Sequence, residues 1–225
     1  MAVEKDFEQA ASKPLRIGVV SNTSWYLFNF RLNLMQELQR QGHFVVAIAP
    51  EDKYSAKLEA GGVPFSHVSM IGSGVNPIKE ALCVGQLWRI FKDQDLDLVL
   101  SYTPKGNLYS ALACIVSGRR FVPNVSGLGR AFIRQSLVTA IAKRLYRFCF
   151  HRAQWIFFQN NDDLNTFVDL GLVDKGKAER LPGSGVDLGR FQLSVPEAPE
   201  RREAKAPMFL LVARMLWDKG IGEYV

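Results

Sequence analysis

Leu15-Arg16-Ile17-Gly18-Val19-Val20 and Phe44-Val45-Val46-Ala47-Ile48-Ala49 are apolar runs of strand length, separated by enough chain for one helix. The first runs into a small polar loop, Ser21-Asn22-Thr23-Ser24-Trp25, and the second is stopped by Pro50. Short runs rich in Val and Ile, bounded in this way, have the pattern of buried parallel strands. Between them Phe30, Leu34, Met35 and Leu38 recur at helical spacing, predicting a helix from about Leu27 to Gln41 that Gly42 ends. Strand, crossover helix and strand form a βαβ unit, which implies a parallel sheet with right-handed crossovers.

The alternation continues outward from that unit. Ser55–Ala60 predicts a short helix ending at Gly61-Gly62, and Pro64–Val68 a third strand. Asn76-Pro77 starts the next helix, with Asn as cap and Pro in the first turn, and it runs to about Lys92. Leu98–Tyr102 is a fourth strand, a helix follows to about Val116, and Phe121–Val125 is a fifth strand. A long helix from about Ser136 to His151 leads to a strand at Trp155–Gln159. Asn161 or Asp162 then caps a helix ending near Gly171, and a short strand begins at Arg180-Leu181. The expected fold class is α/β, a doubly wound parallel sheet. Ser194–Pro207, rich in proline and charge without apolar periodicity, reads as a linker. The expected organisation is a flexible N-terminus at 1–13, an α/β domain at 14–191, a linker at 192–206 and the start of a second domain at 207–225.

Composition narrows the class of protein. In a chain of 225 residues, 48% apolar and 22% charged residues are ordinary values for a soluble globular protein. Cys83, Cys114 and Cys149 are widely spaced in apolar surroundings, which suggests reduced core thiols and not a disulfide framework. His43, His67 and His151 are scattered and form no metal-binding pattern. Met1–Lys13 lacks the apolar core of a secretory signal, and no run approaches the ~18 apolar residues of a membrane span. The net charge of +6 is uneven. From Leu98 to Asn161 there is no Asp or Glu, while Lys105, Arg119, Arg120, Arg130, Arg134, Lys143, Arg144, Arg147 and Arg152 all occur. Such asymmetry suggests an anionic partner.

Several segments could carry chemistry. Phe209–Ala213 predicts a buried strand, with Arg214 at its end and Lys219-Gly220 where a helix begins. Ligands of open α/β sheets bind outside the carboxyl ends of the strands, so these two cations either suit a diphosphate or form a solvated turn. The loop and helix start Ser21–Arg31 lack G-x-G-x-x-G, which disfavours an ordinary dinucleotide site. Phe28 and Phe30 are expected in the core. Trp25, Asn29 and Arg31 are either ligand contacts or an aromatic cluster with one exposed Arg. Lys105, in Tyr102-Thr103-Pro104-Lys105-Gly106-Asn107, stands beside a helix N-terminus and is either a contact for a ligand phosphate or a solvated loop lysine. Gly127 and Gly129, in Ser126-Gly127-Leu128-Gly129-Arg130, permit close backbone approach to a ligand. In the helix at Ser136–His151, Ile141, Leu145 and Phe148 fall on the expected sheet-packing side. Lys143, Arg144 and Arg147 form a charged face that meets either solvent or anionic lipid. Trp155, Phe157 and Phe158 are expected in the core.

Arg-x-x-x-x-Lys-Gly after an apolar strand resembles the donor-diphosphate motif of the retaining family 4 glycosyltransferases, which have the GT-B fold of two facing Rossmann-like domains. Ser24-Trp25-x-x-x-Asn29-Phe30-Arg31, followed by Gly42-His43 and Ala49-Pro50, resembles a bacterial subgroup that adds sugars to polyprenyl-diphosphate-linked glycans at the cytoplasmic membrane face. Thr103-Pro104-Lys105 and Gly127-x-Gly129 match the same subgroup. Pro182-Gly183-Ser184-Gly185-Val186-Asp187 resembles the segment closing the first domain, with Ser184 where the family usually has Asn. The resemblance implies transfer of a sugar from a nucleotide-sugar donor to a lipid-linked glycan or polysaccharide precursor. The nucleotide-sugar is then a substrate, and neither cofactor nor metal is expected. Arg214 and Lys219 would hold the donor diphosphate; Trp25, Asn29, Arg31, Lys105, Gly127 and Gly129 would lie on the acceptor side of the cleft. It also implies a cytoplasmic protein peripheral to the anionic inner membrane face, with no nucleic-acid partner. The family's glutamate pair (E-x7-E) would fall beyond Val225, so no catalytic residue is assigned and the chain is expected to be a fragment inactive alone. The alternative is a non-catalytic α/β module that binds membrane or glycan. A GT-B epimerase is disfavoured by the acceptor-side motifs.

Overall fold

A computed structural model of the chain describes residues 13–71, 76–127, 137–189, 191, 209–213, 215, 217 and 220–224. Gly129, Arg214, Lys219 and the expected linker lie outside them. The chain divides into two compact units, residues 1–187 and 188–225, a division just ahead of the expected domain end at 191.

In the first unit the strands are β1 (Arg16–Val20), β2 (Phe44–Ala49), β3 (Phe65–His67), β4 (Leu98–Tyr102), β5 (Arg120–Val125), β6 (Ile156–Phe158) and β7 (Ala178–Arg180). They form one sheet in the order β3-β2-β1-β4-β5-β6-β7. Every pairing is parallel, with Ile17 opposite both Val45 and Leu98, and Tyr102 opposite Asn124. The connections are α1 (Ser24–Phe30), α2 (Leu32–Arg40), α3 (Ser55–Ala60), α4 (Pro77–Asp93), α5 (Pro104–Ser117), α6 (Leu137–Phe150) and α7 (Asn161–Asp169).

Alternation along the strands gives the sheet two buried faces. One face packs Val20, Val46, Ile48, Val99, Phe121 and Phe158 against helix residues such as Leu87, Phe91, Cys114, Phe150 and Phe167. The other packs Ile17, Val19, Val45, Ala47 and Tyr102 against Leu27, Met35 and Leu58. Complete burial of one such side chain stabilises by ~1.5–3 kcal/mol, so each helix is fixed mainly by its apolar stripe. Gly18 lies in β1 because a Cβ there would come within 2.6 Å of Leu96 Cδ1. The sheet is thus doubly wound and Rossmann-like, as the alternating pattern implies.

Four local expectations are corrected. The helix expected from Leu27 to Gln41 is broken at Arg31, which ends α1 and precedes α2 with φ −130° and ψ −6°. The break turns Phe30 outward, 41% exposed, and buries Arg31 at 5%. In α6 the inward side is Thr139, Tyr146, Cys149 and Phe150, while Ile141 and Phe148 join Arg144 on the exposed side. Tyr146 and Phe150 win the core because they join Phe158 and Phe167 in one aromatic cluster. Trp155 precedes β6 and is partly exposed, donating from Nε1 to Glu179 Oε2 at 3.2 Å. Asn160, not Asn161 or Asp162, caps α7, because its Oδ1 accepts from Asp163 N at 2.7 Å.

Among the described residues of the second unit is one short helix, α8 (Ile221–Tyr224). Phe209–Ala213 is not a strand, and Phe209, Leu210 and Val212 are exposed. A strand needs a neighbour to take its backbone hydrogen bonds, and the described residues offer this segment none. The Tyr224 hydroxyl donates to the Phe209 carbonyl at 2.8 Å.

Candidate functional site

Strand order reverses between β1 and β4, since β2 and β3 continue on one side and β5 to β7 on the other. At such a switch point the loops leaving two neighbouring strands diverge, and a crevice opens at their carboxyl ends. Here it lies between the loop after β1, beginning at Ser21, and Thr103 after β4.

The loop after β1 is held by side-chain caps. Thr23 Oγ1 accepts from Tyr26 N at 3.2 Å, and Ser24 Oγ donates to the Pro50 carbonyl at 2.5 Å. Across the crevice, Thr103 has φ +69°, a left-handed conformation that a β-branched residue rarely adopts. Its hydroxyl donates to the Tyr102 carbonyl and does not cap α5, whose first turn opens with Pro104. At Gly106 a Cβ would lie 3.1 Å from Thr103 Oγ1 and 3.6 Å from Ser21 Cα. Glycine therefore lets α5 begin directly against the β1 loop.

Arg31 lies under this region. Its guanidinium carbon is 4.1 Å from the centre of the Tyr102 ring and 5.5 Å from that of Tyr26. Nη2 donates to the Tyr26 hydroxyl at 3.0 Å and Nη1 to the Phe30 carbonyl at 3.3 Å. Burial pushes the Tyr102 phenol up to about 12, with Arg31 pulling the other way. Trp25 stands at the rim, 45% exposed, edge-on to Phe30 at 5.5 Å. Asn29 Nδ2 donates back to the Trp25 carbonyl at 2.9 Å, closing the same helical turn.

Lys105 is neither solvated nor on open ground. Its Nζ pairs with Glu80 Oε1 at 2.7 Å and donates to the Ile71 carbonyl at 2.8 Å, with both charged side chains less than a fifth exposed. Glu80 also bonds Tyr109, whose phenol is raised by burial first and then by that carboxylate. Gly127 has φ +150° and nothing within 4 Å of where a Cβ would stand, so backbone can meet a ligand there. The structure therefore gathers Trp25, Asn29 and Arg31 on α1 and its end. Lys105 lies at the start of α5 and Gly127 just beyond β5.

Sequence reasoning passed over a set of buried polar groups on β4, β5, α5 and the start of the loop after β1. Ser21, Ser101, Asn107, Ser110 and Asn124 are each at most 6% exposed. Asn107 Nδ2 donates to the Asn124 carbonyl at 2.9 Å, but among the described residues Ser21 Oγ, Ser101 Oγ, Ser110 Oγ, Asn107 Oδ1 and Asn124 Oδ1 have no partner. The signal was available: polar residues inside apolar strands, as at Ser101 and Asn124, need a reason. Glu80 was also missed, because its link to Lys105 is long-range.

The sequence profile described as Glycosyltransferase Family 4 matches residues 29–190. The chain is 28% identical over 224 residues to the N,N'-diacetylbacillosaminyl-diphospho-undecaprenol alpha-1,3-N-acetylgalactosaminyltransferase of Campylobacter jejuni. That match covers 93% of this chain and 59% of the relative, so the chain spans little more than half of its length. Among solved structures, Anabaena HepE in complex with UDP-glucose superposes with a TM-score of 0.59 at 13% identity, over 80% of this chain and 47% of HepE. UDP-N-acetylglucosamine 2-epimerase from Rickettsia bellii superposes with a TM-score of 0.55 at 13% identity, over 75% and 44%. At such identities the structural likeness shows the fold alone.

Proposed function

The chain belongs to glycosyltransferase family 4, and from that premise we propose that it supplies the acceptor side of an enzyme that transfers a sugar from a nucleotide-sugar to a lipid-linked glycan. The observation that carries this reading is the β1/β4 switch point, of which β4, Thr103, Asn29 and Arg31 fall inside the family match at residues 29–190. The name of the Campylobacter relative, a sugar transferase for a diphospho-undecaprenol saccharide, supports the substrate class.

In the proposed reaction the anomeric carbon is held beside its own leaving diphosphate while the acceptor hydroxyl approaches. Positioning and charge stabilisation then lower the barrier. Retention of configuration and the roles of Arg214 and Lys219 on the donor diphosphate are proposed from the motif. Lys105, Gly127 and Gly129 are proposed on the acceptor side. No helix among the described residues is long and apolar enough to cross a membrane. Contact with an anionic inner-membrane surface is proposed through the outward side of α6, where Ile141, Arg144 and Phe148 alternate apolar and cationic groups.

The test supplies the chain with a polyprenyl-diphosphate saccharide and a panel of labelled nucleotide-sugars. Binding of the lipid-linked acceptor and entry of label into the lipid extract are scored separately. Saturable acceptor binding with transfer from one donor is expected of the enzyme. Binding without transfer supports the second reading, a non-catalytic module, which the exposure of Phe209, Leu210 and Val212 favours. If the acceptor fails to bind at all, both readings fall.

A further inference from the structure

Arg31 carries a buried charge that none of the described residues balances. At 5% exposure its guanidinium has one carbonyl, one phenol and two aromatic faces around it. Among the described residues no carboxylate reaches it, and Nε donates to nothing. Lys105, which is less deeply buried, is given Glu80. A guanidinium taken out of water without a counter-ion is costly, and tyrosine faces recover only part of that cost. An anion arriving with a ligand would complete the balance.

The surroundings narrow the anion. Nε and the neighbouring Nη donor form a planar fork that matches two oxygens of a phosphate or carboxylate. Tyr102, whose ring carries the guanidinium, is followed at once by Thr103 and the start of α5, and Thr103 gives that helix no side-chain cap. A fourteen-residue helix whose first turn has no side-chain cap favours negative charge at that end. Ser21 Oγ, fully buried and without a partner among the described residues, follows the end of β1. Donors on several sides suit tetrahedral phosphoryl groups better than a planar carboxylate.

We propose that Arg31 is the counter-charge for a diphosphate bound at the β1/β4 crevice. On binding, the guanidinium keeps its face on Tyr102 and turns its Nε–Nη edge from the Tyr26 hydroxyl to the diphosphate. The proposal rests on the glycosyltransfer reading for the owner of the diphosphate, which is either the nucleotide-sugar or the lipid-linked acceptor; the unbalanced charge does not depend on it.

The test titrates the chain with inorganic pyrophosphate, uridine diphosphate and farnesyl diphosphate at low salt, following calorimetry and the 15Nε–1Hε resonance of Arg31. Pyrophosphate is expected to bind the wild type and move that resonance. Arg31→Gln should weaken binding about 30-fold and Arg31→Lys about 10-fold, since an ammonium keeps the charge and loses the fork. Arg40→Gln, an exposed cation on α2, should leave binding unchanged. Tighter binding of uridine diphosphate assigns the site to the donor, and of farnesyl diphosphate to the acceptor. The resonance needs no variant, so the proposal stays open to refutation even if Arg31→Gln misfolds. An unmoved Arg31 resonance under saturating pyrophosphate, or equal affinity in a folded Arg31→Gln chain, overturns it. Sugar transfer that persists in Arg31→Gln while pyrophosphate binding is unchanged sinks this proposal alone. Pyrophosphate binding at Arg31 without any acceptor binding sinks the glycosyltransfer reading alone.

Discussion

The Lys105–Glu80 pair can be tested by a double-mutant cycle. Truncating one partner of a fully buried pair costs ~3–5 kcal/mol, whereas an exposed pair is worth ~0–1 kcal/mol. With the two side chains 19% and 15% exposed and 2.7 Å apart, a value between these limits is expected, about 2 kcal/mol for either single change. Glu80→Gln keeps an acceptor for Tyr109 but leaves the ammonium facing a neutral group. Lys105→Met keeps the aliphatic stem near the Tyr109 ring and removes the bond to the Ile71 carbonyl. The double variant should lose about 3 kcal/mol, less than the two singles together, because the second change removes a charge already deprived of its partner. Urea unfolding at low and high salt measures all four corners, and in thermal melts each single change should lower Tm by ~4–8 °C. Single effects that add to within ~0.5 kcal/mol would refute the pairing. If Lys105 instead serves an acceptor phosphate, Lys105→Met alone leaves stability unchanged and weakens acceptor binding.

Two further measurements probe the core. Gly18→Ala should destabilise by ~1–2 kcal/mol through overpacking, since the added methyl meets Leu96 Cδ1 at 2.6 Å and Ile48 Cδ1 at 3.2 Å, both ends of side chains that can yield; an unchanged urea midpoint would contradict the packing described. Burial pushes the Cys83 and Cys149 thiols up from 9.0 to about 11 and Cys114 higher still, so a disulfide-exchange reagent at pH 8 should label none of the three until the chain unfolds. These groups, with Tyr102, are raised above their unfolded values, so the stability they contribute is complete below about pH 9 and is lost as pH climbs through 11 to 12. A midpoint that holds constant across that range would count against their burial.

Strand composition made the fold readable. Phe44–Ala49 and Leu98–Tyr102 appear with their expected ends, because apolar runs closed by proline or a polar loop leave little freedom of assignment. Helix faces were harder where two apolar stripes compete. In α6 either Ile141 and Phe148 or Tyr146 and Phe150 could pack inward, and only the aromatic neighbours on β6 and α7 decide it. Helical spacing could not show the break at Arg31, since the chain turns there to bring a guanidinium onto Tyr102, some seventy residues on. The site was legible as a set of loops and illegible as a set of partners: Arg31 was read as either a ligand contact or an exposed cation, with no sign of its seat on Tyr102, and Lys105 was read without Glu80. Phe209–Ala213 has the composition of a strand, but composition supplies no neighbouring strand to pair with.

The two borders of the sheet bear on how the protein behaves in a crowded solution. Each outermost strand, β3 and β7, is only three residues long, and one carries His67 while the other carries Glu179 and Arg180. A second copy approaching either border would find three backbone positions to zip against, beside side chains that prefer water. The described sheet therefore gains a long, mostly apolar parallel interior between two borders that offer little template on which other chains could polymerise.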